Sequence, residues 1–255
     1  MTAPAPLSAA ARRAVWRRQF LLQGCWNYEG MQNVGFAYAI LPALREFYAG
    51  RPEEALKAVK RHLEYFNTQP AMGAVILGAA VRLEEGVAAG EADPRSIGTF
   101  KVGLMGSLGA IGDAFFWGSL RPTASVAGAI LSLLHPLAGI VALLGLYNAT
   151  HFVVRLRGFA AGMQGQEGAV AWLKAAGLSG RTEDRKLAAA ILAGAYAGAY
   201  AGRHAVLGGD AFLAVVLFAV GVGLVRLFTA LFRKAVSPSE ILAFLLFIGG
   251  LILWD

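Results

Sequence analysis

The sequence predicts an all-α integral membrane protein, built from discontinuous and half-length (re-entrant) helices together with amphipathic interfacial helices. Three observations carry this. Hydrophobic residues make up 57% of the chain and charged residues only 15%, against about 25% charged in an ordinary soluble domain. Between Arg121 and Arg155 there is no Asp, Glu, Lys or Arg, and a crossing helix needs about 20 such residues. The remaining apolar stretches are short, glycine-rich or interrupted by polar residues, a pattern that suits a transporter with broken helices better than a bundle of simple anchors.

Composition also excludes several classes. The 255 residues admit one or two domains. The net charge of +7 fits basic loops on the cytoplasmic side of a membrane. It lacks the basic stripe interleaved with aromatics that a nucleic-acid partner needs. Cys25 is the single cysteine, so there is no internal disulfide and no zinc-type spacing. No metal and no cofactor are expected. Residues 1–19 carry arginines but no apolar core followed by a cleavage site, so no signal peptide is read. There is no Gly-x-Ser-x-Gly elbow, no His-Glu-x-x-His, no dinucleotide fingerprint and no phosphate-cradling loop. His62, His135, His151 and His204 are scattered, and Glu64, two residues from His62, faces away from it on a helix. No catalytic residue is expected, and the chain reads as a non-enzyme.

Taken in order, residues 1–7 are Pro/Ala-rich and read as disordered. Ser8 caps a helix carrying Arg12, Arg13, Arg17 and Arg18 beside Trp16, Phe20, Leu21 and Leu22. Arginine and tryptophan among apolar residues suit a segment at the headgroup level of the cytoplasmic leaflet, so residues 1–25 form an N-terminal interfacial unit. The stretch Trp26-Asn27-Tyr28-Glu29-Gly30-Met31-Gln32-Asn33 then runs into an apolar segment ending near Leu44. On a helix, Glu29, Gln32 and Asn33 share one face. A carboxylate beside amides, Asn27 included, offers acceptors and paired donors for a polyhydroxylated ligand. An interfacial helix turning its polar face to water is the competing reading.

Gly50-Arg51-Pro52-Glu53-Glu54 marks a helix start. Leu56, Val59, Leu63 and Phe66 give it one apolar seam, with Lys57, Lys60, Arg61 and Glu64 opposite. It stops at Asn67-Thr68-Gln69-Pro70, since proline disfavours a helical residue before it. Asn67, Thr68 and Gln69 form either an ordinary turn or the lining of a polar site. Residues 71–83 are apolar and about 20 Å long as a helix, less than a full crossing. Residues 84–94 read as a charged loop. Residues 96–120 hold glycines at 103, 106, 109, 112 and 118, with Asp113 among apolar neighbours. They read as a broken helix, and a carboxylate at such depth marks a functional site or pairs with a base such as Arg121.

Residues 122–147 predict a transmembrane helix kinked near His135-Pro136. Tyr147-Asn148-Ala149-Thr150-His151 leads to a basic exit at Arg155 and Arg157. Residues 158–185 read as a soluble insertion with a helix near 167–176, and Thr182-Glu183-Asp184 starts another helix. Beyond it come the repeat Gly194, Gly198, Gly202 in an apolar stretch from Leu187, which permits close helix packing, and residues 205–225. Arg226, Arg233 and Lys234 form a second basic loop. A capping box at Ser237-Pro238-Ser239-Glu240 leads into a short closing helix at 241–254.

Three stretches together carry a resemblance. They are Trp26-Asn27-Tyr28-Glu29 with Met31-Gln32-Asn33-Val34-Gly35-Phe36, then Arg61-His62-Leu63-Glu64-Tyr65-Phe66-Asn67-Thr68-Gln69-Pro70, and Lys101-Val102-Gly103-Leu104-Met105-Gly106 through Gly112-Asp113-Ala114-Phe115-Phe116-Trp117-Gly118 to Arg121-Pro122. In order and spacing the chain resembles the IID component of mannose-type (mannose/fructose/sorbose) sugar phosphotransferase systems. The resemblance implies a IID-type membrane domain over residues 26–255 and a multi-pass protein of the cytoplasmic (inner) membrane. It implies a permease subunit that pairs with IIC to carry a hexose inward, while IIB, charged through IIA, phosphorylates the sugar. Membrane lipid and a homo-oligomer of IIC–IID pairs complete the implied partners. On this reading Asn27, Glu29, Gln32, Asn33, Asn67, Thr68, Gln69 and Asp113 bind sugar or line its path. A non-transporting membrane scaffold that reports phosphotransferase state is the alternative. The chain departs from the family pattern twice, with Gly30 where arginine follows Asn-Tyr-Glu and Ser107 where proline follows Met-Gly. The first removes a fixed charge beside Glu29.

Overall fold

Ser8 starts the first helix. Its Oγ accepts a hydrogen bond from the Ala11 N–H and caps α1 (Ala9–Arg18), whose last turn sets Arg17 and Arg18 at the negative end of the helix dipole. The computed structural model describes residues 7–182 and the separate positions Ala189, Ala193 and Tyr196. Residues 1–6, the glycine repeat at 194–202, the stretch 205–225, the basic residues Arg226, Arg233 and Lys234, the capping box and the closing segment lie outside the described residues. The chain forms two units, Met1–Ala190 and Ile191–Asp255. Every element below belongs to the first.

After α1 and a 3₁₀ turn (Gln19–Leu21) come α2 (Asn33–Phe47), α3 (Pro52–His62), α4 (Gly73–Ala89) and α5 (Arg95–Phe115). A π-helical turn (Phe116–Leu120), α6 (Arg121–Ser132), α7 (Pro136–Gly162) and α8 (Gln166–Ala176) follow. The described residues are helical and contain no strand, only two isolated bridges at Asn27–Met31 and Met31–Phe66.

The core is built on α4. From Gly73 to Val81 every residue of it is buried, and α2, α5 and α7 pack around it. Within a protein core, a helix segment apolar on all sides is accommodated by neighbours on every face. Where α4 crosses α7, a Cβ on Gly162 would lie 2.3 Å from the Val75 carbonyl oxygen, and one on Gly78 would lie 2.5 Å from that of Phe159. The two backbones therefore meet with no side chain between them.

Several elements differ from the sequence reading. Residues 122–147 are not one kinked span. The chain reverses at Leu133-Leu134, and His135 caps α7 through an imidazole Nδ1 that accepts from the Leu137 N–H, with Pro136 at the first helical position. α6 and α7 then pack as a hairpin, held close because a Cβ on Gly139 would sit 2.5 Å from the Gly128 carbonyl oxygen. Among the described residues, the helix long and apolar enough to cross a membrane is instead α7, 27 residues, little of it buried. It spans about 40 Å. Residues 147–157 are part of it rather than an exit loop: Arg155 is buried, donates from Nη1 to the Gln19 carbonyl at 2.9 Å and stacks over Phe20.

α3 starts as expected, with Pro52 at its first position and Glu53 and Glu54 in its first turn, but it ends at His62 and not at Phe66. Its inward face is Ala58 and His62, flanked by Ala55 and Val59, while Leu56 and Leu63 are exposed. The early stop releases Phe66 from any helical register and lets it enter the core on its own. α4 runs on through Glu84 and Glu85 to Gly90, whose φ of +79° ends it, so the expected loop at 84–94 is mostly helix. No proline or strong breaker before Gly86 interrupts that run. α5 is continuous and not broken, because a glycine inside a helix costs only about 1 kcal/mol relative to alanine and keeps its N–H in the ladder. Its irregularity is the π turn at its end. Helix α8 falls at the expected place within 158–185, although residues 158–162 still belong to α7, and helical residues resume at Leu178 rather than at Thr182.

Candidate functional site

The stretch 26–32 is a tight turn and not a helix, so Glu29, Gln32 and Asn33 share no helical face. Asn27 organises it. Its Oδ1 accepts from the Gly30 N–H at 2.7 Å, and its Nδ2 donates to Asn33 Oδ1 at 3.0 Å. Met31 turns through φ of +56°, and its backbone pairs with Asn27 on one side. Asn33 Nδ2 donates to the Leu63 carbonyl at 2.6 Å, which ties the turn to the end of α3. Gln32, buried, closes the other side: its Nε2 donates to the Thr68 carbonyl at 2.7 Å, and its Oε1 accepts from the Thr68 N–H at 3.3 Å. Gln69 Oε1 accepts from the N–H groups of Ala71 and Met72 just before α4. Thus Asn27, Asn33, Gln32 and Gln69 each satisfy backbone groups that a loop must pair somewhere.

Against this turn lies a cleft of about 420 Å³, lined by Gln23, Gln32, Asn67, Thr68, Pro70, Met105, Gly106, Gly109, Ala110, Asp113 and Trp117. Its far wall is one face of α5, on which Gly106, Gly109 or Ala110, and Asp113 recur at helical spacing. The structure brings together four of the eight expected site residues here: Gln32, Asn67, Thr68 and Asp113. Asn27, Glu29, Asn33 and Gln69 do not line the cleft, and Glu29 is exposed. Asp113 faces outward at the cleft and forms no ion pair with Arg121, whose guanidinium stacks on Trp117 at 5.6 Å. Thr68 is the unusual member. It is 5% exposed, yet its Oγ1 has no hydrogen-bond partner, a condition that costs about 1–3 kcal/mol unless something else supplies the bond.

A second polar group went unforeseen. Glu84, fully buried on α4, takes Arg61 Nε at 2.6 Å and His62 Nε2 at 2.7 Å on one oxygen, and the Tyr48 hydroxyl at 2.6 Å on the other. Arg61 Nη2 also reaches the Tyr48 oxygen at 3.1 Å. Burial pushes the Glu84 carboxyl up, but hydrogen bonds from His62, Arg61 and Tyr48 outweigh it and hold it at about 2. Burial likewise keeps the His62 imidazole below its ordinary value against the pull of Glu84. The carboxylate accepts, so the imidazole proton sits on Nε2. Lys101 lies beside this group, its Nζ donating to the Arg61 carbonyl at 3.2 Å and lying 5.0 Å from the centre of Phe36. Phe36 in turn stacks on His62 and packs at a tilt against Phe66. Glu84 supplies the carboxylate that His62 lacks along its own helix, from 22 residues away. The one sequence signal was that nothing between Leu83 and Gly86 ends the apolar helix.

Asn27, Gln32, Arg61, His62, Thr68, Lys101 and Asp113 fall in the stretches that carried the resemblance, and a family model described as the PTS system mannose/fructose/sorbose family IID component matches residues 6–254. The chain belongs to that family. Among curated relatives, this IID chain is 42% identical over 151 residues to the PTS system mannose-specific EIID component of Escherichia coli (strain K12), covering 59% of this chain and 53% of that protein. It is 37% identical over 143 residues to the fructose permease IID component of Bacillus subtilis (strain 168), covering 56% and 51%. The aligned part of the IID chain thus spans about half the length of the curated relatives it matches. Among solved structures, it aligns with a chain in the cryo-EM structure of the mannose transporter ManYZ with microcin E492, at a TM-score of 0.61 and 30% identity over 97% of each chain. A chain described as a membrane protein aligns at a TM-score of 0.68 and 37% identity, over 76% of this chain and 71% of that one.

The two departures now have physical content. A Cβ on Gly30 would stand 2.1 Å from Asn33 Nδ2, and Asn33 is held on both sides by Asn27 and Leu63. In the IID chain, glycine at 30 is therefore what allows this Asn27–Asn33 pairing. Ser107 is exposed on α5 and supplies the backbone N–H that a proline would lack, consistent with the unbroken course of that helix.

Proposed function

We propose that this IID chain is a membrane permease subunit that pairs with IIC to move a hexose inward, coupled to phosphorylation of the sugar by IIB, which IIA charges. The chain sits multi-pass in the cytoplasmic (inner) membrane, in a homo-oligomer of IIC–IID pairs, with α7 as a crossing. α4 and α6, of 17 and 12 residues, are half-length, re-entrant elements at about 25 and 18 Å. α1, within residues 1–25, and α3 lie at the interface, and the soluble insertion begins after Gly162. The domain over 26–255 is the IID-type membrane domain. The chain does no phosphoryl chemistry of its own.

One observation supports the sugar path most directly. Thr68 lines a polar cleft, and its hydroxyl, buried just beneath that wall, has no partner; a hexose hydroxyl supplies that bond once the wall yields to the bound sugar. Asn67 and Asp113 add a carboxamide and a carboxylate on the same rim. Glu29, Asn27, Asn33 and Gln69 act on the sugar indirectly, through the turn, or on the IIC partner.

The test is co-expression with the IIC partner and measurement of hexose uptake, comparing the native chain with Asp113→Asn, Thr68→Val and Glu29→Gln. Uptake should drop at least about tenfold in the first two, the loss of one good hydrogen bond, while the complex still forms. A native complex that forms and moves no hexose would sink the transport reading in favour of a regulatory scaffold.

A further inference from the structure

A second cleft, of about 650 Å³, lies among α1, α4 and the end of α7, lined by Leu7, Arg12, Arg13, Trp16, Arg82, Glu85, Phe159, Ala160, Met163 and Gln164. Its chemistry is divided. Leu7, Trp16, Phe159, Ala160 and Met163 give it an apolar floor, and three guanidiniums stand at its edge. Arg82 is occupied by Glu85, one turn along α4. Arg12 and Arg13 are exposed and have no carboxylate partner among the described residues. Two adjacent free arginines form a charge that water alone does not require, and guanidinium geometry matches phosphate oxygens.

The apolar floor separates one source of phosphate from another. A free anion gains nothing from Trp16, Phe159 and Met163, whereas a lipid phosphate brings a glycerol and acyl chains to cover them. The groove also opens where α7, the crossing candidate, ends, so the bilayer delivers the lipid to it. Trp16, packed edge-on against Phe20 at 5.5 Å, is of the type that sits at the headgroup level.

We propose that this groove binds one anionic phospholipid, with its phosphodiester on Arg12 and Arg13 and the start of its chains on Trp16, Phe159 and Met163. The lipid joins the N-terminal helix to the end of the span. This goes beyond membrane association in general, because it fixes a single headgroup between three named helices, and it does not depend on hexose transport.

Native mass spectrometry of the purified full-length chain in neutral detergent tests it, titrating dioleoyl-phosphatidylglycerol against dioleoyl-phosphatidylcholine. The anionic lipid should bind at one copy, at least about tenfold tighter than the zwitterionic one. The double variant Arg12→Gln/Arg13→Gln, both exposed, should weaken it about thirtyfold, at about five- to sixfold per lost charge. Trp16→Leu should keep headgroup preference while lowering affinity for both lipids. Equal binding of the two lipids, no effect of the double variant, or displacement of the lipid by millimolar inorganic phosphate would each overturn the proposal. So would a groove that takes up no lipid, which would mean that another protein segment fills it. Hexose uptake is not read in this experiment, so its failure leaves the transport reading standing.

Discussion

The Glu84 group and the Thr68 cleft are both polar, and they lie on either side of the same segment, yet they are built in opposite ways. Around Glu84 nearly every donor finds an acceptor, the partners come from three different parts of the chain, and Glu84 and His62 are fully buried. At Thr68 the backbone is pinned by Gln32 while the hydroxyl is left without a bond, beside an open space. The first arrangement resists change because removing any member strands the others. On the proposed reading, the second keeps a bond in reserve for the sugar. Polarity in the interior therefore says little about ligand binding until each bond is counted.

The contrast can be broken most severely at Glu84. Glu84→Ala leaves Arg61 without its carboxylate and His62 without its acceptor, and should cost about 3–5 kcal/mol. Chemical unfolding of the purified chain followed by tryptophan fluorescence would read it, and a loss under 1 kcal/mol would mean that the network is not a brace. Gln32→Ala strips the Thr68 carbonyl and N–H of their partners and should cost about 1–3 kcal/mol, with hexose uptake falling in step because the cleft wall loosens.

A smaller effect comes from His62. Its folded-state imidazole is held below the ordinary value by burial, with Arg61 and Lys101 adding to the effect and Glu84 opposing it. The unfolded chain therefore binds a proton that the folded chain refuses once the pH drops through about 6.5. Stability should fall on acidification below that point with a slope of up to about 1.4 kcal/mol per pH unit. A His62→Gln variant should lose that component of the pH dependence.

The smallest expected change in stability sharpens the comparison most. Thr68→Val keeps the shape and removes an oxygen that has no partner, so stability should stay level or rise by about 1 kcal/mol while uptake declines. Asp113→Asn, on an exposed side chain, should shift stability by no more than about 0.5 kcal/mol. A large destabilisation by either variant would show that the cleft is bonded internally and not reserved for a ligand.

Much of this was legible in the residues, for identifiable reasons. Ser8 and Pro52 marked helix starts because capping is local chemistry, decided within four residues. The family followed from three motifs whose spacing covers the chain. What escaped depends on distant contact. Glu84 reads as a loop charge until α3 is laid across α4. The face assigned to Glu29, Gln32 and Asn33 assumed a helix, where Asn27 and Gly30 instead close a turn by side-chain bonds that periodicity does not register. Residues 122–147 read as one span because hydropathy is blind to direction, and the glycines that let the chain fold back, Gly128 and Gly139, meet only after it has reversed.

The π turn at Phe116–Leu120 carries one consequence for how this chain can vary. A π turn holds one residue more than an α turn in nearly the same rise, so it absorbs an extra residue without turning α6 away from α5. Deleting a single residue there would restore α geometry and leave α6 facing as it does now. Deleting one from the regular turns of α5 or α6 would instead rotate the helix beyond it by about 100°. These five residues are therefore where the α5–α6 run best absorbs a one-residue change in length.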